Sequence, residues 1–132
     1  MVVSYLFWVA FCITDGAADA FMYHLKDVNK SSKPNEHSTL LLRRIIIGIL
    51  LCYYSETGIL GFLIYGASQP FFHNNVYYNI RHYLNRNVYS YGLNCQSKTS
   101  TAFLTKVEGP AVRITLFILS ITFIWLRNLG HL

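Results

Sequence analysis

Charge is scarce in this chain. Asp, Glu, Lys and Arg make up 13% of the 132 residues, about half their share in an ordinary soluble domain, too few to clothe a conventional water-facing surface. Cysteine is reduced to Cys12, Cys52 and Cys95, an odd number with no CxxC spacing, so neither a disulfide framework nor a zinc knuckle follows. Also missing are a GxSxG nucleophile elbow, a phosphate-binding glycine loop and any HxxxH or HxxHH pair. Their absence leaves acyl transfer, nucleotide chemistry and histidine-box metal chemistry without a signature, and no cofactor is expected. What is abundant is apolar and aromatic: 53% hydrophobic residues, with nine Phe, ten Tyr and two Trp. Such a composition excludes intrinsic disorder, and a mass of 15.2 kDa allows one domain only.

The formal charge of +5 raises nucleic acid as a partner, but the basic residues sit as pairs and singles beside apolar runs, not as a stripe interleaved with aromatics. Lipid headgroups are the expected neighbours. Three apolar stretches, 2–25, 45–66 and 112–129, each approach the roughly 20 residues that a membrane-crossing helix needs. The first lacks the charged n-region and cleavage site of a signal peptide. The second, IIIGILLCYYSETGILGFLIYG, has Arg43 and Arg44 at one end. Only 13 residues separate Arg113 from Arg127 in the third, about 20 Å of helix. Arg43, Arg44, Arg113 and Arg127 are therefore expected to anchor span ends by snorkelling.

Residues 26–44 and 87–111 read as extramembrane loops from their Ser, Asn, Gly and Pro content. Between spans two and three, residues 70–86 carry Phe72, Val76, Ile80, Tyr83 and Leu84 at helical spacing, opposite Asn and Arg. This pattern suits an amphipathic helix lying in the membrane interface, with packing on another subunit as the alternative. The expected fold is a single all-α integral membrane domain with three transmembrane helices and one interfacial helix. Three spans put the termini on opposite sides. The tighter basic grouping of the first loop favours an outside N-terminus and an inside C-terminus.

Carboxylates inside the apolar runs are the main chemical signal. Asp15 and Asp19 are four residues apart, on one helix face and about 6 Å apart along the axis. Glu56 falls at the middle of the second stretch and Ser120 at the middle of the third. If spans one and two are antiparallel, Asp15 and Glu56 reach one depth, and Asp15, Asp19, Glu56 and Ser120 form a polar cluster at mid-membrane. Two acids in a low-dielectric layer stay ionised only if a cation lies between them. The cluster then relays protons, binds a cation, or holds helices together as protonated, hydrogen-bonded acids. His73 and His82, nine residues apart, face opposite ways on a helix, while His24 and His37 flank the first loop.

From these features the expectation is a non-enzymatic structural or accessory subunit of a larger membrane assembly, such as a respiratory or photosynthetic complex or a lipid-containing virus particle. Its partners are the bilayer and other membrane subunits, or copies of itself. An ion or proton conductor, including a pore-forming lysis protein, is the alternative built on the same acids. A membrane metalloenzyme pairing them with His24 is the third.

Overall fold

The computed structural model describes residues 1–28, 37–87 and 109–130. The expected loop residues 29–36 and 88–108, with Cys95 and His131, lie outside the described residues. All regular structure described is helical: α1 (Val2–Val28), α2 (His37–Tyr54), α3 (Gly58–Gln69), a π-helical turn (Pro70–Asn74), α4 (Asn75–Leu84) and α5 (Pro110–Asn128). The second helix begins earlier than the apolar run, so Arg43 and Arg44 sit within α2 and not in a loop. Two helices, α1 over Val2–Leu25 and α5, are long and apolar enough to cross a membrane.

The α1 helix shows how the packing is encoded. Its buried residues, Tyr5, Trp8, Cys12, Asp15, Asp19 and Ala20, recur every three or four positions and trace one stripe along the helix. The first half of that stripe is apolar and joins a core with Cys52, Ile64, Tyr65 and Ile124. The second half carries the two acids. Gly16 lies between them, and a Cβ there would come within 2.5 Å of the His73 carbonyl oxygen. Only glycine permits so close an approach of α1 to the π-helical turn.

The stretch 45–66, expected as one span, is broken. Ser55, Glu56 and Thr57 form a turn in which the Ser55 hydroxyl donates to the Leu51 carbonyl at 2.6 Å. The Ser55 and Thr57 hydroxyls meet at 2.9 Å. Glu56 has φ 53° and Gly58 φ 57°, and two left-handed residues end a right-handed helix. Hydroxyls that satisfy the local carbonyls and a glycine free to reverse the chain outweigh the continuous hydropathy. Next, α3 runs through the π-helical turn into α4, so residues 58–84 form one helical segment about 40 Å long. Pro70 explains the wider turn, because it has no N–H for the carbonyl four residues back and its ring crowds that carbonyl.

Contacts fix the directions of these segments. Tyr65 meets Ser4 and Trp8, His73 meets Asp19, and Tyr77 meets Tyr23, so α1 runs parallel to α3–α4. Along α2 the order is reversed: Arg43 and Arg44 face Asp15 and Asp19, while a Cβ at Gly48 would touch Phe62 and Trp8. Helix α5 is antiparallel to α3–α4, with Arg127 at Glu56 and Thr57, Ser120 at Ile64, Phe117 stacked on Phe71 and Arg113 over the Tyr78 ring. The result is a bundle of four alternating helical segments. It replaces the three-span topology and removes its opposite-sided termini, because the starts of α1 and α3 and the end of α5 lie at one end. Residues 70–84, expected as a separate interfacial helix, continue α3 and pack along α1 of the same chain.

The turn makes its own prediction. Gly58→Ala is expected to destabilise the protein by about 1 kcal/mol, because alanine is strained at a positive φ, and Glu56→Gly to raise the melting temperature by relieving that strain at an exposed residue. Thermal unfolding of both variants in detergent checks the pair.

Candidate functional site

Five side chains from three segments converge where the second half of α1 meets α2 and the π-helical turn. Asp15 and Asp19 extend from the buried face of α1, with their side chains 2% and 5% exposed. Neither carboxylate is left bare. The Arg44 guanidinium bridges them, with Nε donating to Asp15 Oδ2 at 2.7 Å and Nη2 donating to Asp19 Oδ2 at 2.7 Å. Arg43 Nη2 pairs with Asp15 Oδ1 and reaches Asp19 Oδ1 at 3.5 Å. Two acids thus face two adjacent bases, and the formal charges cancel inside the bundle.

His73 completes the cluster. Its Nε2 lies 3.1 Å from Asp19 Oδ2, 3.5 Å from Asp15 Oδ2 and 2.6 Å from Arg44 Nη2. Its Nδ1 is 2.9 Å from Asn74 Oδ1. The wider turn after Pro70 and the missing side chain at Gly16 together let the His73 backbone approach α1 closely enough for these contacts. Donor atoms of Asp15, Asp19 and His73 lie within 4.8 Å of one another. The Arg44 guanidinium fills the space between them, and its fixed positive charge disfavours a metal ion there.

The expected four-residue polar cluster is only half assembled. Asp15 and Asp19 come together, but Glu56 does not reach them: it is exposed on the turn after α2, about 18 Å along the helix from Arg43 and Arg44. Its backbone carbonyl accepts from Arg127 Nη2 at 3.3 Å. Ser120 is buried elsewhere, where its hydroxyl donates to the carbonyls of Ile64 and Leu116 and ties α5 to α3.

The anchoring arginines are redistributed as well. Arg44 is held by carboxylates, Arg113 is buried against Tyr78, and Arg127 binds the carbonyls of the broken helix end. Arg43 alone of the first pair leaves much of its side chain, 44%, exposed. Pairing within the protein satisfies each guanidinium without drawing it to a headgroup. The histidine at the acids is His73, which spacing alone had set aside, and not His24. A usable signal was present: two acids in an apolar run need cations, and Arg43 and Arg44 are the adjacent pair nearest in sequence. No family model, curated protein or solved structure matches the chain.

Removing one partner of a buried pair leaves the other charge uncompensated. Arg44→Leu is expected to destabilise the bundle by about 3–5 kcal/mol, and Arg43→Leu, at the more exposed position, by about 1 kcal/mol or less. Unfolding of the two variants in the same detergent is the check, with the ranking as the decisive result.

Proposed function

We propose that this chain is an integral membrane protein that acts as a non-enzymatic structural or accessory subunit of a larger membrane assembly. The observation that carries the reading is an inverted distribution of side chains. Among the described residues, 25 large apolar side chains are exposed against nine in the buried apolar core, while Asp15, Asp19, His73, Arg81 and Arg113 are buried. Water disfavours both halves of that arrangement, whereas lipid or a membrane partner favours the outer half and forces ionisable groups to pair inside. Exposed residues such as Phe7 on α1, Ile49 on α2 and Phe123 and Trp125 on α5 offer apolar surface on several sides of the bundle. Lipid takes such surface along the whole helix length, and partner helices pack on part of it.

An internal ion-pair network supports an assembly role over conduction. A relay needs carboxylates that exchange protons, and here each is already neutralised by a guanidinium that does not titrate in the physiological range. The conductor remains the alternative within the same membrane setting, and the network holds α1, α2 and the π-helical turn in one geometry for neighbours to dock against.

Two measurements test the reading in order. Alkaline carbonate washing of membranes is expected to leave the protein in the pellet; recovery in the supernatant rejects integral insertion. Mild detergent extraction is then expected to bring down a stoichiometric membrane partner. A homo-oligomer that carries ion or proton flux in liposomes would instead establish the conductor.

A further inference from the structure

We propose that His73 is a proton-operated switch: binding of a proton at Nε2 drives the Arg44 guanidinium away from His73 and loosens α2 from α1. The geometry defines the starting state. A guanidinium can only donate, so at 2.6 Å from Arg44 Nη2 the Nε2 of His73 must be an acceptor. The ring proton then sits on Nδ1, which donates to Asn74 Oδ1 at 2.9 Å. With a neutral imidazole, the charges of Asp15 and Asp19 balance those of Arg43 and Arg44.

Protonation reverses the role of one atom. Nε2–H becomes a donor, and two cationic donors 2.6 Å apart repel. Asp19 Oδ2, 3.1 Å from Nε2, is positioned to accept the new bond, so the imidazolium has somewhere to stay. Arg44 loses an acceptor and shares Asp19 with a second cation. The groups facing His73 are Asp15 and Asp19 from α1, Arg44 with Arg43 behind it from α2, and Asn74 and Tyr77 from its own segment. The Tyr77 ring stacks at 6.2 Å and is itself met by Tyr23 of α1. Helix α5 contributes Phe117 to the neighbouring Phe71 and Phe72, and Arg113 over Tyr78. His73 is fixed to α1 through the Gly16 approach, so the element free to yield is α2, whose polar hold on α1 is the two arginines.

The test uses the full chain with Cys12, Cys52 and Cys95 replaced by alanine and spin labels at the exposed positions Ala18 and Leu41. In nanodiscs, the distance between labels is expected to change by about 2 Å or more between pH 8 and pH 5. His73→Gln offers Arg44 a carboxamide acceptor that takes up no proton, and is expected to keep the pH 8 distance throughout. A constant distance in the parent protein overturns the proposal, and so does a pH-dependent change that survives in His73→Gln. Nitrogen NMR of the unsubstituted protein gives a readout independent of any variant's folding. At pH 8 the His73 proton is expected on Nδ1, and a proton on Nε2 at that pH overturns the proposal equally.

Discussion

Burial of two carboxylates on one face of α1 is the constraint from which the rest of the bundle follows. Charges in a low-dielectric interior cost several kcal/mol each unless they are paired and hydrogen-bonded. Asp15 and Asp19 therefore dictate where α2 must lie, because only Arg43 and Arg44 answer them from that helix. They also dictate where the π-helical turn must lie, because His73 occupies the remaining side. Tyr65, stacked on Trp8 and accepting its indole N–H at the backbone carbonyl at 2.8 Å, then locks α3 against the other half of α1. One helix thus carries two kinds of adhesive, apolar in its first half and ionic in its second.

Much of the secondary structure was legible in the sequence. The apolar runs gave α1 and α5 nearly whole, and the period of Phe72, Val76 and Ile80 indicated helix through 70–84. The break at Ser55–Thr57 was written in the residues Ser-Glu-Thr-Gly, but a hydropathy window averages over a short turn, and local hydroxyl bonds leave no trace in it. That omission propagated. With 45–66 taken as one helix, Glu56 fell at its midpoint and was matched in depth to Asp15, whereas a turn there moves Glu56 to the end of the bundle.

The site was half legible for a different reason. Spacing within one helix identifies partners on one face, and so Asp15 and Asp19 were found together. Their cations come from other segments, and no spacing rule links residue 15 to residues 44 and 73. Charge balance does link them, since two buried acids require two cations, and Arg43 and Arg44 were assigned to lipid before that need was counted. His73 was dismissed by comparison with His82 on an ideal helix, while its actual partners lie across the packed interface on α1.

The turn between α2 and α3 has a consequence for how the chain is put in place. Three residues span at most about 10 Å, so the end of α2 and the start of α3 can never be farther apart than roughly one helix diameter. The two helices must enter any layer as a single hairpin. Chain order also matters: the acids of α1 leave the ribosome before the arginines of α2, and the histidine that closes the cluster arrives last. A nascent chain therefore holds unmatched negative charge until the hairpin is delivered, which makes arrival of α2 and α3 the event that commits the molecule to its final arrangement.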